Sequence, residues 1–309
     1  MTQFNKALSI AAVALASLAA ARVAAPETES TSLAPRFLET KYLFIFGDSY
    51  TATGFNPSGT KPSSSNPIGN PALPGSTFSG GYDWPGYLVT AFNTSQTLLY
   101  NFAVGGATID SNLVAPPGNG IPSFVEQMGQ WENSVGSKPS YAPWTSDNTL
   151  AGAFFGINDI LGKFWDNQDP PVSQMVDRFI GQFQTLYASG VRNFFFVTVP
   201  PLDKTPLIAG QSAAGRTRVM TNVNNFNTQL AARLASFESQ NSGAKTAVVT
   251  SADPFNTAIS NPGVYGAADA TCEDKKGERC LWWDNLHPAT AIHKLLAEAV
   301  ASAFEGTFF

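Results

Sequence analysis

The sequence has few charges, few histidines and few cysteines, and each scarcity excludes a class of protein. Only 13% of its residues are charged, with 18 Lys and Arg against 23 Asp and Glu, and no basic run is longer than two residues. Nucleic-acid binding needs clustered positive charge, so a nucleic-acid partner is excluded. Two histidines and two cysteines cannot supply a zinc site of ordinary ligand spacing, and we predict neither a metal nor a cofactor.

A long apolar run occurs only at the N-terminus. Lys6 precedes an Ala- and Leu-rich stretch at residues 7–21, and small residues that suit cleavage follow it. A membrane anchor is the alternative, but Arg22 ends the stretch before it reaches the roughly 20 residues that a spanning helix needs. We therefore predict a secretory signal peptide at residues 1–25, a linker or short pro-segment at 26–40 and one folded domain at 41–309. A secreted, extracellular monomer without a membrane span is expected.

Two further features agree with secretion. Cys272 and Cys280 form a close pair with charged, flexible residues between them, which predicts a disulfide in an oxidising compartment. Closing this short loop would stabilise the fold by about 2.5 kcal/mol in the chain-entropy model. Asn93 begins an Asn-Thr-Ser glycosylation sequon, so we predict that Asn93 can carry a glycan.

Strand-like and helix-like patterns alternate along the predicted domain. Five apolar runs are continuous, as in strands that are covered on both faces: residues 42–46, 98–103, 150–155, 191–199 and 246–250. Apolar residues at three- and four-residue spacing predict helices between and after them, at residues 175–187, 219–237 and 292–300. This order predicts an α/β fold, a three-layer α/β/α sandwich around a five-stranded, mostly parallel sheet. Ligands then gather at the carboxyl ends of the strands, and the Pro- and Gly-rich segments 55–81 and 115–122 are expected to be loops around such a site.

A candidate nucleophile lies at the end of the first predicted strand. Gly47-Asp48-Ser49 follows the apolar run there, and a tight turn at that point would present the Ser49 hydroxyl at the sheet edge. A serine nucleophile needs a base and an orienting acid. His287 follows Asp284 by three residues in a predicted loop, a spacing that lets the carboxylate reach the imidazole. His293 lies inside the last predicted helix, where a packed or surface histidine is the better interpretation.

Candidate oxyanion donors follow the second and third predicted strands. Gly105 and Gly106 form a glycine turn whose backbone N–H groups can approach a ligand closely, and Asn158 offers an amide side chain. Each signal alone is weak, because Gly-Gly is usually an ordinary turn and Asn an ordinary helix cap. Together with Ser49, these residues occupy successive strand ends at one edge of the predicted sheet.

Four sequence blocks, in this order, resemble the SGNH hydrolases, also called the GDSL esterase/lipase superfamily. The blocks are Gly-Asp-Ser at Ser49, Asn-Phe-Ala-Val-Gly-Gly ending at Gly106, Gly-Ile-Asn-Asp at Asn158 and Asp-Asn-Leu-His at residues 284–287. The resemblance spans residues 42–304 and implies the flavodoxin-like SGNH hydrolase fold. It implies that Ser49 is the nucleophile, that His287 is the base and then the acid, and that Asp284 orients His287. It also implies that Ser49, Gly106 and Asn158 form the oxyanion hole, with Gly105 as an alternative register to Gly106.

The surroundings of Ser49 indicate a subgroup. Residues 46–55, Phe-Gly-Asp-Ser-Tyr-Thr-Ala-Thr-Gly-Phe, resemble fungal secreted acetyl esterases of carbohydrate esterase family sixteen. Tyr50 replaces the leucine of the general pattern and Ala52 replaces an acid, and neither change touches the proton-transfer residues. The resemblance implies acetylated sugars such as xylo-oligosaccharides as substrates. A lipase or lysophospholipase of the same superfamily is the first alternative, and an inactive sugar-binding protein is the second.

Aromatic residues near these blocks are candidate sugar platforms, because flat rings stack on sugar rings. Core packing is the alternative, and it is favoured for any single member of the group. The candidates are Tyr82, Trp84, Trp282 and Trp283. No Gly-x-Ser-x-Gly motif occurs, which disfavours the nucleophile elbow of ordinary α/β hydrolases.

Overall fold

A computed structural model describes residues 39–309 and contains a five-stranded sheet. The strands are β1 (Lys41–Gly47), β2 (Thr97–Asn101), β3 (Thr149–Phe154), β4 (Asn193–Val197) and β5 (Lys245–Val249). All neighbouring pairs are parallel, and the strand order is β2-β1-β3-β4-β5. The predicted α/β fold and its five strands are confirmed, and each strand end lies within two residues of its predicted position.

Eight α-helices connect and flank these strands in the described part of the chain. They are α1 (Trp84–Thr90), α2 (Phe124–Trp131), α3 (Ile157–Trp165), α4 (Val172–Ala188), α5 (Pro206–Ala209), α6 (Ala213–Gln240), α7 (Ala252–Ser260) and α8 (Thr290–Ala303). The three predicted helices lie within α4, α6 and α8. In α4 the periodic apolar residues, Met175 to Leu186, form the buried face, which is why their spacing predicts the helix.

The three phenylalanines of β4 show that helices cover both faces of the sheet. Phe194 and Phe196 contact aromatic rings of α4. Phe195, between them in the strand, contacts Trp84 of α1 and Phe304 at the end of α8. Because alternate residues of a strand point to opposite faces, α4 lies on one side of the sheet and α1 and α8 lie on the other. The predicted three-layer arrangement follows.

Phenylalanine fills much of the core, and this explains its abundance in the sequence. A single close approach shows how tightly the rings pack: a Cβ added at Gly152 of β3 would lie 2.1 Å from the Phe195 ring. Trp84 and Trp282 are fully buried, so for these two candidate sugar platforms core packing is the correct interpretation. Tyr82 and Trp283 remain partly exposed.

The structure contains the predicted Cys272–Cys280 disulfide, with the two Cα atoms 5.3 Å apart. Asn93 is exposed in the loop between α1 and β2, and its glycosylation stays a prediction. Within residues 39–309 no helix is both long and apolar enough to cross a membrane. The predicted signal peptide, and the predicted linker up to residue 38, lie outside the described residues.

Candidate active site

The turn after β1 places Ser49 at the carboxyl edge of the sheet. The carbonyl of Asp48 accepts hydrogen bonds from the backbone N–H groups of Thr51 and Ala52, at 3.1 and 3.0 Å. The Asp48 carboxylate accepts one more from the N–H of Tyr50 at 3.0 Å. Ser49 keeps 9% of its surface exposed, whereas Asp48 is fully buried. Ser49 therefore keeps a small exposed surface, while hydrogen bonds to the buried Asp48 hold the backbone of the turn.

The three residues predicted as nucleophile, base and acid meet at this edge. His287 Nε2 lies 2.8 Å from Ser49 Oγ, although the two residues are 238 positions apart in the chain. His287 Nδ1 lies 2.8 and 3.0 Å from the two carboxylate oxygens of Asp284. This continuous chain of hydrogen bonds can remove a proton from the hydroxyl and stabilise the imidazolium that forms.

Asp284 organises its own turn as well as the imidazole. Its Oδ1 accepts hydrogen bonds from the backbone N–H groups of Leu286 (2.9 Å) and His287 (2.7 Å), as in an Asx turn. Burial alone would raise the pKa of Asp284. The hydrogen bonds from the His287 ring and from these amides outweigh burial and hold the pKa well below its usual range. Asp284 is therefore charged across the range in which an imidazole titrates.

Tyr50, the departure from the family pattern, connects the serine turn to the histidine turn. Its hydroxyl donates a hydrogen bond of 2.5 Å to the carbonyl of Leu286. Its ring lies 5.6 Å from the His287 ring and is itself buried, stacked on Phe255. A leucine could not make this hydrogen bond. The expectation that this change leaves the proton-transfer residues untouched was wrong, because Tyr50 contacts the base and holds the residue before it.

Phe78 covers one face of the imidazole. Its ring stacks on His287 with centroids 5.1 Å apart, and Trp283 meets both rings edge to face. A Cβ added at Gly105 would lie 2.9 Å from the Phe78 ring and 3.7 Å from Ser49 Cβ. Any side chain at position 105 would force the Phe78 ring to move. Sequence analysis missed Phe78; its place in the long loop 55–81 was the available signal.

The predicted oxyanion segments are hydrogen-bonded to each other. Asn158, in the first turn of α3, donates from Nδ2 to the carbonyl of Ala107 at 2.9 Å. The next residue, Asp159, accepts a hydrogen bond from the N–H of Ile109 at 3.1 Å. Gly106, one residue before Ala107, has a φ of 82°, a backbone conformation that favours glycine. The loop after β2 and the start of α3 therefore form one connected edge beside Ser49.

Other ionisable groups near the site are buried. Burial raises the pKa of Asp48 and of Asp159 to about 7, against the opposing effect of hydrogen bonds from backbone amides. His293 of α8 accepts a hydrogen bond from the N–H of Trp84, and burial lowers its pKa to about 3. A histidine that stays neutral in the core is a packing residue, as predicted, and not a second base.

The loop that the disulfide closes, residues 272–280, contacts Asp284. Lys275 Nζ is 3.6 Å from Asp284 Oδ2 and 3.6 Å from the centroid of the Trp283 ring. The Trp283 indole N–H donates to the Lys275 carbonyl at 3.0 Å. Gly277 of the same loop abuts the Ser79 carbonyl, so the loop also contacts the segment that carries Phe78. The sequence predicted the disulfide but not this support of the site.

Comparisons with known proteins identify the family of this chain. Residues 43–300 match the family model described as GDSL-like Lipase/Acylhydrolase. An acetylesterase of Thermothelomyces thermophilus is 47% identical over 274 residues, which cover 88% of this chain and 91% of that protein. An acetylesterase of Hypocrea jecorina is 26% identical and covers 86% of this chain and 89% of that protein.

A solved structure shows the same fold at low identity. A member of the lipolytic G-D-S-L family from Veillonella parvula superposes with a TM-score of 0.50 at 13% identity, covering 87% of this chain and 100% of that chain. The family model spans most of the described residues, and the 47% identity is close enough to carry the family's chemistry. The chain belongs to the GDSL-like lipase/acylhydrolase family and is a carboxylic ester hydrolase.

Proposed function

We propose that this protein is a secreted serine esterase that removes acetyl groups from carbohydrates, such as acetylated xylo-oligosaccharides, through an acetyl-enzyme at Ser49. The observation that carries the proposal is the hydrogen-bond chain from Ser49 Oγ through His287 to Asp284. Two relatives named acetylesterase support the acyl group. No cofactor is needed, because the chain's own side chains supply the nucleophile and both proton transfers.

The mechanism follows from which atoms can exchange protons. Ser49 Oγ attacks the acetyl carbonyl carbon as His287 Nε2 takes the hydroxyl proton. His287 then gives that proton to the sugar oxygen as the ester C–O bond breaks, which leaves an acetyl group on Ser49. A water then attacks this ester as His287 takes its proton, and that proton passes to Ser49 Oγ as the acyl–oxygen bond breaks and acetate leaves. Asp284, held charged by its hydrogen bonds, stabilises the imidazolium in both steps.

We assign the oxyanion formed in each step to three donors: the backbone N–H of Ser49, the backbone N–H of Gly106 and the Asn158 amide. Asn158 Nδ2 carries two hydrogens, and its bond to Ala107 uses one of them. The second is free in this arrangement to donate to an oxyanion. Gly105 remains the alternative register for the glycine donor, since its backbone also lies beside Ser49.

The crowding around Ser49 favours a small acyl group. Phe78 lies against both the imidazole and the Gly105 backbone, so an aromatic ring closes the space next to the hydroxyl. A two-carbon acyl group needs little room there. A long acyl chain would have to displace the ring.

Ser49→Ala tests the mechanism. Purified variant protein should lose acetyl-ester turnover by at least about a thousand-fold, while its thermal midpoint stays within a few degrees of the wild type. Full turnover by the variant would disprove the acyl-enzyme at Ser49. The wild type should then be compared on acetylated xylo-oligosaccharides and on long-chain lipid esters. A preference for the lipid esters would identify the lipase or lysophospholipase alternative, and no labelling of Ser49 by a phosphonate would favour the inactive sugar-binding protein.

Secretion, domain limits and oligomeric state are part of the same proposal. The Cys272–Cys280 disulfide and the exposed Asn93 sequon support passage through an oxidising compartment. N-terminal sequencing of the protein from culture medium should find the mature chain starting near residue 26, with the catalytic domain at 41–309. Gel filtration should give a monomer, and Asn93→Gln should remove a glycosidase-sensitive mass. Retention of residues 1–25 in a membrane fraction would contradict the signal peptide.

A further inference from the structure

Gly47, two residues before Ser49, lies where the sheet stops supporting β1 on one side. β3 pairs with β1 as far as Gly47, opposite Phe154, but β2 pairs with it only as far as Ile45, opposite Asn101. The loop after β2 still donates to β1 from the N–H groups of Phe102 and Val104, but none of its carbonyls accepts from the N–H of Gly47. The backbone N–H of Gly47 therefore needs a partner from outside the sheet, because a buried donor without a partner costs free energy.

Gln127 of α2 supplies that partner. Its Oε1 accepts a hydrogen bond from the N–H of Gly47 at 3.0 Å, and its Nε2 donates to the Gly47 carbonyl at 2.8 Å. The side-chain amide thus pairs with Gly47 through both backbone groups, as a residue of a neighbouring strand would. Gln127 is fully buried in the structure. Its helix begins with a capping box at Ser123 and Glu126, which anchors the helix end next to Gln127.

The same amide connects Gly47 to the oxyanion segment. The Gly47 carbonyl also accepts a hydrogen bond from the N–H of Val104 at 3.1 Å, one residue before Gly105. Gln127 Nε2 donates a second hydrogen bond, of 3.3 Å, to the carbonyl of Pro122. Pro122 follows Ile121, whose side chain lies against Gly106. The buried side chain of Gln127 therefore links the serine turn to the segments on both sides of the glycine turn.

Position 47 has no room for a side chain. A Cβ added there would lie 2.8 Å from the Thr51 side chain and 3.0 Å from the carbonyl oxygen of Phe154. The end of β1 is therefore positioned by hydrogen bonds of its backbone and not by side-chain packing. Two of these hydrogen bonds are made by the side chain of Gln127, so a substitution at position 127 can remove them without changing the sequence of the serine turn.

We propose that Gln127 is a positioning residue for this esterase: it sets the distance between Ser49 and the oxyanion donors by pairing with the backbone of Gly47. The proposal rests on Ser49 acting as the nucleophile. A displacement of about 1 Å between nucleophile and oxyanion donors can cost a hundred-fold in rate, so the effect should appear in catalysis and not only in stability.

The experiment compares Gln127→Glu with the matched control Gln130→Glu. Gln130 lies three residues on in the same helix and is partly buried, and its hydrogen bond to Ser134 uses the backbone carbonyl. A neutral glutamic acid at position 127 can accept from the Gly47 N–H and donate to the Gly47 carbonyl. The ionised form has no donor and places a carboxylate against that carbonyl oxygen. The rate of phosphonate labelling at Ser49 is measured from pH 5 to pH 9 for each protein and divided by the wild-type rate at the same pH.

The ratio for Gln127→Glu should fall by about ten-fold or more as the pH rises, while the ratio for Gln130→Glu stays flat. Any pH dependence that the variant shares with the wild type cancels in this ratio. Steady-state turnover of an acetyl ester should follow the labelling rate through kcat, with KM changed less than about three-fold. A ratio that stays near one at every pH, together with wild-type labelling by Gln127→Met, would overturn the proposal, since a merely structural amide changes the unfolding temperature and not the reactivity of folded protein.

A second variant covers the case in which Gln127→Glu does not fold. Gln127→Met keeps the side-chain volume and removes all three hydrogen bonds, and it should label about ten- to a hundred-fold more slowly well below its thermal midpoint. Labelling at the wild-type rate would overturn the proposal. Failure of the wild type to label at Ser49 would instead overturn the proposed function, and this inference with it.

Discussion

The nucleophile and the base of this site are supported in different ways. Ser49 follows β1, an interior strand of the sheet that is buried from residue 42 to residue 47. Buried amides hold the segments around Ser49: Gln127 bonds Gly47, and Asn101 donates to the carbonyl of Thr51 at 2.6 Å. His287 lies in a loop outside the sheet, positioned by Asp284. Contacts with the buried core thus fix the position of the nucleophile, whereas a local turn and its neighbours fix the position of the base.

This difference predicts how substitutions on each side should affect stability and activity. Buried polar groups beside the serine have few alternatives to their present partners, so changing them alters the core as well as the reaction. On the histidine side, Asp284 retains 23% side-chain exposure and Lys275 retains 64%. Solvent can compensate for much of what is removed there, except at the atoms that carry the proton.

The largest effect should come from Asp284→Asn, on the exposed side. The variant keeps a carbonyl oxygen for the backbone N–H groups of Leu286 and His287, so the turn survives. Its amide cannot stabilise the imidazolium and favours the wrong imidazole tautomer, and kcat should fall about a thousand- to ten-thousand-fold. Steady-state kinetics and a thermal melt measure both effects. If the thermal melt showed that the variant is unfolded to the extent that it is inactive, the loss would come from folding, and the expected role of Asp284 in proton transfer would be contradicted.

A stability effect of about 2.5 kcal/mol is expected from replacing Cys272 and Cys280 together by serine. The loop between them carries Lys275 and abuts the segment of Phe78, so its loosening should affect the histidine side first. Urea unfolding measures the stability. Hydrogen exchange should increase at residues 272–287 while β1 and the serine turn stay protected. An unchanged urea midpoint would contradict the expected contribution.

A pH-dependent stability effect is expected from Asp48→Asn, on the buried side. Burial raises the pKa of Asp48 to about 7 from its ordinary value of 3.8. Between these two pH values the folded protein retains a proton that the unfolded chain has released. Its stabilising effect is therefore complete below about pH 4 and lost as the pH rises through 7. The melting temperature of the variant minus that of the wild type should increase from pH 5 to pH 8.

The exposed Asp147→Asn is the control for this measurement, and its difference in melting temperature should not depend on pH. The variant at position 48 keeps an oxygen to accept from the Tyr50 N–H. It also replaces Asp48 Oδ2, which has no hydrogen-bond partner among residues 39–309. A pH-independent difference for Asp48→Asn would place a charged Asp48 in the fold at every pH tested.

The smallest effect should come from Lys275→Met. The ammonium group opposes the charge of Asp284 from 3.6 Å, and methionine keeps a stem over the Trp283 ring. Because Lys275 is exposed, this ion pair contributes little, and kcat/KM should change by less than about three-fold. Added salt should reduce the difference between variant and wild type, because it screens an exposed charge. A loss of about ten-fold or more in steady-state kcat/KM would mean that Lys275 supports the acid more strongly than its exposure indicates.

Much of the fold could be predicted because the strands are continuous apolar runs and the long helices are periodic. Each strand end was predicted to within two residues, since the polar or Gly-containing turns that end the strands are local features. Helices α1, α2, α3, α5 and α7 were not predicted, because each has nine residues or fewer and is too short to show a long periodic pattern. Of the candidate sugar platforms, Trp84 and Trp282 are core residues, since sequence alone does not show which face of a chain segment is covered.

The sequence by itself determined the strand and helix periodicity, the disulfide pair and the residues proposed to carry the chemistry, because these depend on local spacing and on ordered motifs. Only the tertiary structure decided how those residues are held. Tyr50 reaches Leu286, Lys275 reaches Asp284 and Gln127 reaches Gly47. The first and last of these contacts join segments far apart in the chain, and no local pattern specifies such pairs. They arise because a parallel sheet brings its strand ends to one edge, where loops from distant segments must satisfy each other's buried polar groups.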